Sequence, residues 1–142
     1  MSHCQRSVSP TALAALCALA LMGCASSPSA TALEQADYGP APAGFERDIA
    51  AAFSDLLIDP DSARFEYAPP EQGWGRTESD TDYVFGWCVM TRVNSKNQFG
   101  AFTGWRDYKV LLVDNDVHSI YSSTGNDLLG NPRYARLQWA KP

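Results

Sequence analysis

Beyond its first two dozen residues the chain carries one thiol, Cys88, and one imidazole, His118. A Cys–His pair makes a thiolate nucleophile, and Asp114 or Asp116 stands close enough in sequence to orient the ring, which would make a cysteine-dependent hydrolase. That chemistry needs the two side chains on neighbouring strands and on one face. Cys88, however, lies between Trp87 and Val89 in an apolar run, where a buried thiol stays protonated and inert. A second group is Asn94, Lys96, Asn97, Gly100 and Gly104, followed by Trp105. A loop of amides, one ammonium and accessible backbone N–H groups presents donors that could hold a carboxylate or a glycan hydroxyl. The same residues also suit a turn, with Asn97 and Gly100 supplying left-handed geometry and Asn94 tying down the backbone. Trp74 and Trp105 each stand beside glycines, where a ring could stack on a sugar or anchor a protein partner, or could instead lid an edge of the core.

Other chemistries find no residues to carry them. Asp114-x-Asp116 has the opening of a calcium loop, but its sixth position is Ser119 and its twelfth Gly125, so the required glycine and glutamate are missing. Asp80-x-Asp82 fails in the same way. No C-x-x-C, H-E-x-x-H, G-x-S-x-G or P-loop pattern occurs, so no catalytic residue, metal or cofactor is assigned. The chain has 11 Lys and Arg against 16 Asp and Glu, a formal charge of −5, and no basic run. That is the wrong sign for neutralising phosphates and excludes nucleic acid as the expected partner.

The elements that must position these residues read as a small α+β domain over residues 44–142: one amphipathic helix packed on a mostly antiparallel, twisted sheet. Phe45, Ile49, Ala52, Phe53, Leu56 and Leu57 form an apolar stripe at helical spacing, with Glu46 and Asp48 in the first turn and Asp59-Pro60 as the stop. Residues 63–67 predict a short strand ended by Pro69-Pro70, and the polar, glycine-containing 71–81 predicts a loop. Tyr83, Phe85, Trp87, Val89, Thr91 and Val93 alternate with Val84, Gly86, Cys88 and Met90, which predicts a central strand covered on both faces. Residues 108–113 and 117–122 predict a hairpin around Asp114-Asn115-Asp116. Asn131-Pro132 predicts a cap for a final helix through Leu137.

The N-terminal part has a different character. Arg6 and the amino terminus precede an apolar run from Thr11 to Met22, too short to span a bilayer as a stable helix but suited to a signal-peptide core. The closing Leu21-Met22-Gly23-Cys24 resembles the lipobox of bacterial lipoproteins. That resemblance implies a signal peptide over 1–23 and acylation of Cys24, which becomes the first residue of the mature protein. Cys4, Cys17 and Arg6 then leave, Cys24 becomes a thioether, and Cys88 stays as a thiol with no cysteine to pair with. All 16 acidic residues remain while one of the 11 basic ones is lost, so the formal charge falls from −5 to −6. Acyl chains, not surface charge, must therefore supply the membrane affinity. Residues 25–43 are rich in Ala, Ser, Pro, Gly and Thr, so 24–43 is read as the lipidated cysteine plus a disordered tether with a random-coil reach of about 25 Å. Ala25 is not the Asp that resembles an inner-membrane retention signal, so the expected location is the outer membrane, facing the periplasm.

Two segments carry a further resemblance. Asp59-Pro60-Asp61-Ser62-Ala63-Arg64-Phe65 fits D-P-x-S-A-x-F, and Val93 to Gly104 reads V-N-x-K-N-x-x-G-x-x-x-G, which matches V-N-x-K-N-x-x-G-x-x-G apart from one extra residue before the last glycine. Together they resemble a group of small proteobacterial lipoproteins and secreted proteins that place the first motif after an amphipathic helix and the second after a strand. The likeness covers roughly residues 45–122, and the group brings no assigned activity with it. The expected function is therefore a non-catalytic envelope lipoprotein, held to the membrane through Cys24, that binds an envelope protein or glycan through Asn94, Lys96, Asn97, Gly100, Gly104, Trp105 and Trp74. The competing readings are the Cys88–His118 hydrolase and a periplasmic enzyme inhibitor.

Overall fold

A computed structural model describes residues 27–77, 79, 81–126 and 132–137. Residues 1–23, expected as a signal peptide, together with Cys24, Asp80 and Trp139, lie outside the described residues. The order of elements is α1 (Ala30–Glu34), α2 (Phe45–Ser54), β1 (Asp59–Tyr67), β2 (Glu71–Arg76), β3 (Tyr83–Lys96), β4 (Arg106–Val113), β5 (Asp116–Asn126) and β6 (Pro132–Leu137). Among the described residues the balance is more β than α+β: six strands form one sheet in which every pairing is antiparallel, and α2 is the one helix longer than a few residues.

β3 organises the sheet because its sequence is apolar on both faces and it is 14 residues long. One flank pairs along Trp87–Val93 with β4. The other is shared by two shorter strands laid end to end. β1 pairs with the C-terminal half through Tyr67↔Thr91 to Asp59↔Lys96, and β2 with the N-terminal half through Glu71↔Cys88 to Arg76↔Tyr83. Pro69-Pro70 makes the break between them, since neither residue can donate to the ladder. β5 and β6 extend the sheet beyond β4. Asp114 and Asn115 both adopt positive φ, 51° and 71°, the two-residue turn that matches the twist of the β4–β5 hairpin.

The core lies on one face. Ile49 and Phe53 of α2 are buried against Val89, Val93, Val110, Leu112 and Ile120, with Phe65, Tyr67, Trp87 and Tyr108 around them. Phe53 meets Phe65 and Tyr108 edge-on, at centroid distances of 5.7 and 4.9 Å. Burying two side chains of this size contributes about 3–6 kcal/mol of apolar stabilisation. Thr91 sits in the same face, 1 % exposed, and its hydroxyl has no hydrogen-bond partner among the described residues.

The opposite face is covered differently along its length. The β2–β3 hairpin curls over β4 and β5, so that Arg76 N donates to Tyr121 Oη (3.1 Å) and Arg136 reaches the Thr77 carbonyl (3.0 Å). Gly86 allows this curl, because a Cβ there would run into the Leu112 carbonyl oxygen. Beyond Cys88 that face opens, and Met90 and Arg92 are exposed.

Three expectations are corrected here. Residues 71–76, expected as loop, form β2: their glycines serve close approach, not turning, since a Cβ at Gly73 would collide with Cys88 Sγ. The expected helix to Leu137 is instead strand β6, paired with β5 from Asn126↔Pro132 to Ile120↔Leu137. The stretch 27–43, expected as a disordered tether, contains α1 and lies on the sheet. The Trp87 indole donates to the Gly39 carbonyl (3.2 Å), Ala43 N to Asn115 Oδ1 (2.9 Å), and Tyr38 meets Phe85 edge-on at 5.8 Å. A few anchoring rings suffice where average composition is poor in apolar residues.

Candidate functional site

The loop after β3 is built by the two sequence motifs acting on each other. Asp59 Oδ1 accepts from Ser62 N, and the Ser62 hydroxyl donates to the Asp59 carbonyl (2.8 Å). Ser62 Oγ then accepts from Lys96 N (3.0 Å), which fastens the bulged start of β1 to the end of β3. Asn94 Oδ1 accepts from Gly104 N (3.1 Å), and Asn97 Oδ1 from both Phe99 N and Ala101 N (2.9 and 3.2 Å). Gly100 and Gly104 hold φ of 77° and 87°, which explains their spacing. The two amides and both glycines expected to contact a ligand are thus used in shaping the loop.

What the loop displays is aromatic. Phe99 is 82 % exposed, Phe102 41 % and Trp105 39 %. Cations lie over two of these rings: Arg64 and Lys96 over Phe102, at 4.6 and 5.5 Å from its centroid, and Arg92 over Trp105 at 5.2 Å. Arg92 also pairs with Glu66 (2.7 Å) and Asp107 (3.4 Å), a surface triad worth little to stability but able to fix the guanidinium under the indole. Lys96 and Trp105 therefore belong to the candidate surface, together with Phe99 and Phe102, whose hydrophobicity in a polar turn was the signal for them in the sequence.

Trp74 does not join this surface. It pairs with Phe85, eleven residues from Lys96 along β3, a separation of up to about 35 Å at roughly 3.3 Å per residue. It packs edge-on against Tyr83 at 5.4 Å and borders a cleft at the other end of the strand.

Cys88 and His118 are not brought together either. Cys88 pairs with Leu111 of β4, and Leu111 with Ser119 of β5, so a whole strand intervenes and the backbones stand about 10 Å apart. His118 occupies the bulge opposite Leu111/Leu112, its Nδ1 2.7 Å from Ser119 Oγ. Burial pushes the Cys88 thiol up from its ordinary value, outweighing Lys109 and the hydrogen bond with the Trp74 backbone, which favour the thiolate. No cluster of His, Cys, Asp and Glu able to hold a metal occurs among the described residues. No helix among them is long and apolar enough to cross a membrane. Compared with protein-family models, curated proteins and solved structures, the chain finds no match.

Proposed function

We propose that this protein is a membrane-anchored bacterial envelope lipoprotein, non-catalytic, that binds an envelope protein or glycan through the loop after β3. Cys24 is its lipid attachment site, and its expected place is the outer membrane facing the periplasm. The observation that supports the binding role is a hydrogen-bonded loop whose rings point outward: Phe99, with 82 % of its surface open to solvent, stands beside Phe102 and Trp105. A loop held by its own asparagines is pre-organised, so little entropy is lost when a partner covers the rings. Exposed aromatics flanked by Arg64 and Lys96 suit a partner with a planar or apolar patch bordered by acidic groups. The Cys88–His118 hydrolase draws no support from a raised thiol separated from its imidazole by a strand.

The test is cross-linking capture from envelope extract with the acylated full chain as bait and Cys24→Ala as the unanchored control. Lys96→Ala with Trp105→Ala, and separately Phe99→Ser, are expected to abolish capture while leaving the circular dichroism spectrum unchanged. Capture that survives both changes would remove this surface from consideration.

A further inference from the structure

The open face of the sheet holds a second candidate, independent of the loop. Between α1, the Pro69 turn and the β2–β3 hairpin lies a cleft of about 570 Å³, within the range of about 300–1,000 Å³ of small-molecule sites. Leu33, Tyr38, Trp74 and Met90 supply its apolar walls, and Glu71 and Gln72 lie on its polar side. Leu33 and Met90 are left 36 % and 40 % exposed. Lys109 and Cys88 also line it.

Lys109 is the telling residue. Its position in β4 pairs with Met90 of β3 and Tyr121 of β5, in the middle of the sheet and not at an edge. Nζ donates to the Trp74 carbonyl (2.9 Å) and lies 5.3 and 5.7 Å from the ring centroids of Trp74 and Tyr121. Every one of these partners is neutral. Among the described residues no carboxylate forms an ion pair with this ammonium. Glu71, which also borders the cleft, is exposed to solvent. A half-buried cation held in place by a carbonyl and two ring faces, with apolar walls around it, is a site for one negative charge on an apolar body.

We infer that this cleft binds a small amphipathic anion, an alkyl or aryl carboxylate or its equivalent, with its charge on Lys109 and its apolar body between Met90, Leu33 and Trp74. A neutral molecule of the same shape gains the walls but not the ammonium. A fully hydrophilic anion gains the ammonium but leaves the walls wet. The site lies on the hairpin end of β3 and makes no use of the loop after it.

The experiment is isothermal titration of octanoate, and of octanamide as its uncharged counterpart, into the full chain in lipid nanodiscs, with empty nanodiscs as the blank. Octanoate is expected to saturate one site and to bind at least tenfold more tightly than octanamide. Lys109→Met, which keeps the apolar stem, should erase that difference, and Lys109→Arg should restore most of it. Met90→Glu should weaken both ligands, whereas Phe99→Ser should alter neither. An absence of saturable heat, or equal octanoate affinity in wild type and Lys109→Met, overturns the inference. Should the Lys109 variants fail to fold, the rate of Cys88 alkylation in the wild type decides: octanoate must slow it several-fold, and an unchanged rate refutes the site.

Discussion

The two ends of β3 solve opposite problems with the same kinds of residue. At the loop end the polar side chains turn inward on the backbone: Asn94, Asn97 and Ser62 all bond main-chain groups, and the rings of Phe99, Phe102 and Trp105 are turned out. At the hairpin end the rings of Tyr38 and Trp74 form walls, and a polar group, the Lys109 ammonium, is kept among them. One end is a convex surface whose shape is fixed by hydrogen bonds, suited to a large partner. The other is a concave site whose chemistry is fixed by one charge, suited to a small one. A motif-rich segment is therefore not automatically the segment that touches a ligand; here the motif residues build the mount and their neighbours are displayed.

The comparison presumes one shared core, and its removal should have the largest effect. Phe53→Ala is expected to cost about 3–5 kcal/mol, because it deletes a ring 1 % exposed that bridges α2 to Phe65 and Tyr108. Denaturant unfolding followed by tryptophan fluorescence checks this, and both ends should be lost in one transition. Two separate transitions would show that the ends fold independently.

Next in size is Asn97→Ala, which removes two hydrogen bonds to loop amides and should cost about 1–2 kcal/mol locally. Hydrogen exchange at Phe99 and Ala101 should quicken while the amides of Gly73 and Trp74 keep their protection. Equal quickening at both ends would dissolve the distinction between them.

Thr91 sits between the two ends and belongs to neither. Its buried hydroxyl lacks a partner among the described residues, so Thr91→Val should stabilise the protein by about 1 kcal/mol. A raised urea midpoint is the expected readout, and a lowered one would mean that the hydroxyl is satisfied in solution.

The smallest effect concerns pH. The Tyr67 hydroxyl donates to the Glu46 carbonyl, and burial, followed by the charge of Glu46, pushes its pKa from 10.0 up to about 12. Between those values the unfolded chain loses this proton and the folded one keeps it. The contribution is therefore fully present below pH 10 and fades as pH rises toward about 12. The difference in stability between wild type and Tyr67→Phe should shrink across that window and stay flat below it; a flat difference throughout would show that Tyr67 titrates normally.

Much of the architecture was legible because alternation survives in the residues themselves. The run from Tyr83 to Val93, the Asp114-Asn115 turn and the Ile49–Phe53 stripe led directly to β3, the β4–β5 hairpin and α2. What failed were segments whose residue types serve another purpose than the usual one. Gly73 and Gly75 read as loop, yet they are small so that Cys88, Leu111 and Tyr121 can come close. Pro132 read as a helix start, yet it opens an outer strand, where a missing N–H is tolerated. The loop's importance was visible, but the roles within it were exchanged: its asparagines bond backbone while Phe99 and Phe102 are displayed. The cleft left no trace in the sequence, since Leu33, Tyr38, Trp74, Met90 and Lys109 come from five different segments and meet only through the curl of the hairpin.

The docking of residues 27–43 changes the protein's range of action. With Tyr38, Gly39 and Ala43 held against the sheet and its β4–β5 turn and Leu33 lining the cleft beside it, four residues, and so five chain steps, separate Cys24 from Ser29, the cap of α1. Fully stretched, that leash measures at most about 18 Å, against about 65 Å for the whole of 25–43. Under the lipidation proposed here, the domain would ride on the bilayer like a buoy on a short chain. Its local concentration toward neighbours in the same leaflet would be high, and distant layers of the envelope would reach it only by coming to the membrane themselves.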